Sequence, residues 1–155
     1  MTYNKILENA YPEINLHDCE IKNLTYEGRN FYIYFPDGFF LDGENRSEGD
    51  SKIVIKNLCQ EDAQFVISKS YLTIKGRFPI YVTQYKSIKD IRKLLNKGYY
   101  FTIIDEYYQN DKILWKGEIE SFKKNRIKNW GYFEFTFYSD NLIYYYNELD
   151  KVNKN

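Results

Sequence analysis

The chain is poor in the residues that usually carry chemistry. It has one histidine and two cysteines, Cys19 and Cys59, in 155 residues. A single histidine leaves little capacity for proton transfer near neutral pH, and two thiols support one bridge at most, so no disulfide framework is expected. Lys plus Arg and Asp plus Glu each total 22, a formal net charge of zero. The overall basic excess that favours nucleic acid or anionic membranes is therefore missing. No apolar run approaches the roughly 18 residues that would suggest a bilayer-spanning helix. The start, Met1-Thr2-Tyr3-Asn4-Lys5, lacks the apolar stretch and cleavage site of a secretory signal. Proline and glycine are scarce, with 3 and 8 copies, and no linker or internal repeat interrupts the chain. These absences predict a cytoplasmic protein with reduced thiols, no cofactor and no metal.

What the chain does have is rings: 17 tyrosines, 11 phenylalanines and 2 tryptophans. Many alternate in short runs such as Phe31-Tyr32-Ile33-Tyr34-Phe35. Aromatic and β-branched residues fit a pleated, half-buried surface. The expected fold is mainly β with one or two helices (α+β): an antiparallel curved sheet, barrel or sandwich. Residues 1–148 read as one domain and 149–155 as a frayed polar tail. Asn, Lys, Ile, Tyr and Phe also share A/T-rich codons, so genome composition competes with function as the source of the rings.

A short N-terminal helix is predicted at 2–10, with Tyr3, Ile6, Leu7 and Ala10 on one face and Pro12 as its stop. From Leu16 to Tyr26 a strand is expected, but Ile21 and Leu24 cannot both point inward unless a bulge near Lys22-Asn23 resets the register. Asp42 to Ser51 reads as a polar surface loop without the residue order of a Ca²⁺ site. A second helix is predicted at 87–97: Ser87 and Asp90 make a capping box, Ile88, Ile91, Leu94 and Leu95 form the apolar stripe, and Lys97-Gly98 ends it. Tyr99–Tyr108, Lys112–Glu120, Trp130–Tyr138 and Leu142–Tyr146 alternate as strands, with hairpin turns at Asn110-Asp111 and Ser139-Asp140-Asn141.

Three groups of residues are candidate sites. His17 and Asp18, in Leu16-His17-Asp18-Cys19, are a polar pair for either a structural hand-over or a hydrolase-type mechanism. In a strand, His17 and Cys19 would share a face opposite Asp18. The stretch from Lys123 to Trp130, with Lys124 and Arg126, is a basic hairpin tip ending in an indole, suited to phosphates and bases or to an acidic protein. Outward tyrosines form the broadest candidate: Tyr32, Tyr34, Tyr100, Tyr108, Tyr132, Tyr138, Tyr144 and Tyr146, together with Trp130. Such rings give large contact area at low entropy cost.

The segment Leu16-His17-Asp18-Cys19-Glu20-Ile21, followed by Phe31 to Phe35 and Pro36-Asp37-Gly38-Phe39, resembles a type of small bacterial protein. These open with H-D-x-x-[IV] and lead into an aromatic hairpin of the form x-L-x-L-x-F-x-D-G. Some are similar to immunity proteins of polymorphic-toxin systems. The resemblance covers residues 14–41, and Cys19 stands where a small polar residue is usual. It implies a cytosolic, non-catalytic protein that occludes a cognate toxin, and it assigns no catalytic residue.

The expected function is thus protein binding, with Tyr32, Tyr34, Trp130, Tyr132, Tyr138, Lys124 and Arg126 as contact residues. Zero net charge also leaves room for a homodimer. A β-barrel around a small apolar ligand is the alternative, and an enzyme using His17 and Asp18 is the third reading. Nothing points strongly to nucleic acid.

Overall fold

The computed structural model describes residues 2–11, 13–41, 45–72, 79–123 and 126–147. Its strands in chain order are β1 (Lys5–Glu8), β2 (Ile14–Asn15), β3 (Cys19–Ile21), β4 (Asn23–Glu27), β5 (Asn30–Phe35), β6 (Phe40–Leu41) and β7 (Asn45–Arg46). They continue with β8 (Glu48–Ile55), β9 (Ala63–Leu72), β10 (Pro79–Lys86), β11 (Tyr99–Gln109), β12 (Lys112–Lys123), β13 (Arg126–Tyr138) and β14 (Leu142–Asn147). The one α-helix among the described residues, α1 (Ile88–Leu95), lies between β10 and β11.

Alternation sorts these strands into two facing antiparallel sheets. A five-stranded sheet runs β1-β14-β8-β5-β4, and a six-stranded sheet runs β10-β9-β13-β12-β11-β3. A small third sheet, β2-β6-β7, completes the architecture. Neither large sheet closes into a barrel, so the fold is a sandwich whose edges stay open. The space between the sheets is filled with rings and aliphatics. Phe31, Phe35 and Phe39 meet Phe65, Trp115, Phe137 and Tyr144 at centroid separations of 5.5–6.5 Å, mostly edge-on. Those offset and T-shaped geometries suit the ring quadrupoles. Removing Trp115, which is fully buried, would forfeit about 3–5 kcal/mol.

Lys22 is the corner of the sandwich. Ile21 and Leu24 are both buried, as the broken alternation requires. The break is not the expected bulge in one strand but a change of sheet: β3 ends the six-stranded sheet and β4 begins the five-stranded one. A second corner corrects an expectation. Ser139-Asp140-Asn141 is no hairpin turn, because β13 pairs with β12 and β9 while β14 pairs with β8 and β1. The Ser139 hydroxyl ties that corner by donating to the Lys56 carbonyl (3.2 Å).

The helix predicted at 2–10 is absent. Lys5–Glu8 pairs with β14 over the register Lys5↔Tyr146 to Glu8↔Ile143. A helix of that length is marginal alone, and its supposed apolar face has little to cover: Ile6 and Leu7 are exposed. The free edge of β14 offers backbone partners instead, and the strand wins. The polar stretch after Asp42 is also more ordered than expected. Asn45–Arg46 and Glu48–Ile55 are strands, and Ser47 and Ser51 are buried with their hydroxyls 2.9 Å apart. The helix predicted at 87–97 is present as α1 with the expected capping box, Ser87 Oγ accepting from Asp90 N and Asp90 Oδ2 from Ser87 N. It packs on β4, β10 and β11 and buries Ile91 across one end of the sandwich. Residues 149–155 lie outside the described residues.

Candidate functional site

Two bulges decide which tyrosines reach solvent. In β11 the register with β12 shifts between Ile103 and Asp105, leaving Ile104 as an extra residue. Before the shift Phe101 and Ile103 point inward; after it Glu106 and Tyr108 do, opposite Trp115 and Ile113. In the second bulge, Ile119 pairs with Gly131 and Glu120 with Asn129, so Trp130 is unpaired. Glycine sits at both irregularities for steric reasons. A Cβ on Gly117 would run into the Thr102 carbonyl oxygen and the Phe133 ring, and one on Gly131 into the Ser68 carbonyl oxygen. Bulges bend and twist the strand that carries them, and here the outer face of the six-stranded sheet is concave, with a hollow of about 520 Å³.

That outer face is the candidate site. Cross-strand register lays down one row as Tyr85, Val66, Glu134, Lys116 and Asp105, and a parallel row as Thr83, Ser68, Tyr132, Glu118 and Thr102. Lys116 Nζ lies 3.3 Å from Glu134 Oε2 and 5.8 Å from the Tyr107 ring centroid. The Ser68 and Thr83 hydroxyls are 2.9 Å apart. Four rings stand clear of this floor, with Tyr85 79% exposed, Tyr107 52%, Tyr132 45% and Tyr138 43%. At one margin, β10 has β9 as its only neighbour among the described residues, and Tyr81 and Val82 are exposed along it. An unpaired apolar edge strand is a template for a further strand.

The expected contact residues do not form one cluster. Tyr132 and Tyr138 lie on this face. Tyr32 and Tyr34 lie on the opposite side of the molecule, on the outer face of the five-stranded sheet, where they are half-buried. There Lys52 Nζ is 4.5 Å from the Tyr145 centroid, 5.2 Å from Tyr3 and 5.9 Å from Tyr32. Burial among the rings lowers the Lys52 pKa. Trp130 is turned by its bulge to the inner side, 4.9 Å from the Tyr99 ring. It stands within β13, not on a hairpin tip, since β12 and β13 extend to Lys123 and Arg126. Lys124 and the Arg126 side chain lie outside the described residues. Tyr144 and Tyr146, expected to face outward, are core residues. Tyr108 also points inward, half-buried and stacked on Tyr11 at 4.1 Å.

His17 and Asp18 are on the open surface. The segment is a tight turn, not a strand: Asp18 has φ +60°, and Cys19 N donates to the Leu16 carbonyl at 2.9 Å. That turn brings the His17 and Asp18 side chains together, Nδ1 to Oδ2 3.1 Å, with more than half of each exposed. Their backbone does the hand-over work, His17 N donating to Asn15 Oδ1 and Asp18 N to the Ile103 carbonyl. Cys19 is fully buried, which pushes its thiol pKa up to about 11. It does not have the low pKa of a nucleophile. Both cysteines are free.

One polar group escaped sequence reading. Glu106 accepts from Leu16 N (2.9 Å) and from the Tyr108 hydroxyl (2.7 Å), which in turn accepts from Trp115 Nε1 (3.3 Å). Burial raises the Glu106 pKa, against the lowering effect of these donors and of His17. The buried Tyr144 hydroxyl lies beside this group and faces the Tyr108 hydroxyl. Only the bulge at Ile104 turns Glu106 inward, and the one sequence trace of that bulge is Gly117 on the neighbouring strand.

Among the described residues no group of three or more His, Cys, Asp or Glu is placed to hold a metal, and no helix is long and apolar enough to cross a membrane. No protein-family model matches the chain, and comparison with curated proteins and with solved structures returns no match.

Proposed function

We propose that this chain is a non-catalytic binding protein. Its contact surface is the concave outer face of the six-stranded sheet, continued by the free edge of β10, and its partner is a protein. One observation carries the reading: four tyrosines on this face are 43–79% exposed above a half-buried floor, whereas those of the opposite face are half-buried around one lysine. Exposed rings around a shallow floor are the usual composition of an interaction hot spot. The Lys116–Glu134 pair at the centre adds orientation more than affinity. The resemblance of residues 14–41 supports a toxin as that partner, with occlusion of its active surface as the mechanism and the cytoplasm as the place of action. An apolar-ligand barrel is disfavoured by the open sheets and the ring-filled interior.

The test is capture on immobilised protein from cells that express candidate toxins, with two double variants in parallel. Tyr132→Ala/Tyr138→Ala is expected to lose a stoichiometric partner that Tyr32→Ala/Tyr34→Ala retains. Equal retention by both, or beads that stay clean throughout, overturns the reading.

A further inference from the structure

A second hollow lies on the other side of the β9–β10 edge, where α1 closes against the inner face. Its volume is about 260 Å³, and four lysines line it: Lys69, Lys86, Lys93 and Lys97. The single carboxylate there, Asp90, is engaged as the helix cap, with Oδ2 3.1 Å from Ser87 N and 2.8 Å from Ser87 Oγ. Four lysines less one aspartate leave a charge of +3 in this hollow, in a chain whose formal net charge is zero.

Among the described residues no ion pair offsets that charge. The ion pairs among the described residues are His17–Asp18, Lys22–Asp50 and Lys116–Glu134, and none includes a cleft lysine. Lys86 Nζ donates to the neutral Gln84 amide oxygen at 2.6 Å. Lys69 Nζ rests 3.2 Å from the centroid of the Trp130 ring. Lys93 and Lys97 suit the negative end of α1, but that accounts for neither Lys69 nor Lys86, which stand on strands. Burial, and then repulsion from Lys86, lowers the Lys69 pKa. An anion in the hollow would relieve that repulsion. Apart from Gln84, the remaining wall is apolar, with Ile67, Val82, Leu94 and Trp130 beside the cations.

We propose that this cleft binds a small phosphorylated ligand, its phosphate held by Lys86, Lys93 and Lys97 and its organic body resting on Val82, Leu94 and Trp130. Lysine binds phosphate as a point charge and needs no fixed fork geometry. The helix and strand walls form a pocket of small-molecule scale, so a phosphomonoester fits better than a nucleic-acid strand. The cleft and the concave protein-binding face lie on opposite sides of the same strands, and they share only Val82 at the β10 edge.

Trp130 is a built-in reporter, because Trp115 is fully buried in the core. The full chain is titrated with inorganic pyrophosphate and with phenyl phosphate at ionic strength held constant with NaCl, and tryptophan emission is followed. Saturable changes are expected for both. The double variant Lys93→Gln/Lys97→Gln is expected to weaken each by about tenfold or more, while Lys56→Gln, outside the cleft, leaves them unchanged. Circular dichroism melting checks that the variant folds; should it melt early, Lys93→Gln alone carries the test, with a loss of about threefold. Titrations no different from NaCl alone, or undiminished affinity in the lysine variants, overturn the proposal. So does binding of a single-stranded oligonucleotide that neither phosphate compound displaces.

Discussion

The two large sheets carry the same alternating rings on opposite sides of one core, and they dispose of them differently. On the five-stranded sheet Tyr34, Lys52 and Tyr145 lie in one cross-strand row, with Tyr32, Val54 and Ile143 in the next. Lys52 lies among the rings, and Val54 and Ile143 are buried although they face outward. On the six-stranded sheet the rings stand beside short or charged neighbours, Ser68, Thr83, Lys116 and Glu134, which cannot cover them. Alternation therefore tells which residues leave the core. Cross-strand neighbours decide whether an outward ring remains available for a partner.

A charge placed on each face separates the two most strongly. Val54→Asp buries a carboxylate with no partner and should cost on the order of 3 kcal/mol or more. Tyr85→Asp, at a position 79% exposed, should stay within about 0.5 kcal/mol. Urea midpoints at unchanged slope measure both. Equal shifts would mean that the two faces are equally covered.

Binding reverses the order of the faces. With the captured partner in hand, Tyr132→Ala should cost about 2 kcal/mol, roughly a thirtyfold rise in Kd. Tyr32→Ala should leave Kd unchanged while lowering stability. Equilibrium titration against each variant decides it, and a loss in both variants would erase the distinction between the faces.

A smaller effect separates the two central lysines. Lys52→Met removes a cation from among three rings, worth about 1 kcal/mol in so sheltered a place. Lys116→Met breaks a half-exposed pair with Glu134 and should change stability by less than about 0.5 kcal/mol. Thermal melts of the two variants should rank them in that order.

The fold was legible where local chemistry speaks alone. The capping box of α1 and the two-residue turn Asn110-Asp111 each have a short-range cause and each is present, whereas the bulge expected near Lys22-Asn23 is a passage between two sheets. What could not be read depends on distant partners. Whether Lys5–Glu8 is helix or strand was settled by the free edge of β14, more than a hundred residues away. The identity of the outward tyrosines turned on bulges at Ile104 and Trp130, whose only trace in the sequence is the glycines Gly117 and Gly131 near them. Tyr85, the most exposed large hydrophobic among the described residues, had no distinguishing mark, because nothing local says that β10 is an edge.

The contrast between the faces has a counterpart inside, where the sheets share polar groups: the half-buried Glu106 and Tyr108 from β11 stand against the buried Tyr144 from β14. Burial raises the Glu106 pKa in the folded protein, so the folded chain holds that proton to higher pH than the unfolded chain does. The stability this group contributes is fully present below the unfolded carboxyl value of about 4.3 and is lost as pH rises through the folded value. In Glu106→Gln the titration is gone while an amide oxygen remains to accept from Leu16 N. Wild-type stability relative to that variant should therefore fall as pH is raised from about 4 to 7, measured by urea unfolding at each pH. A rise across the same interval would mean that the donors on Leu16 and Tyr108 outweigh burial. The carboxylate would then be a stabilising anion at the sheet junction, not a strained one.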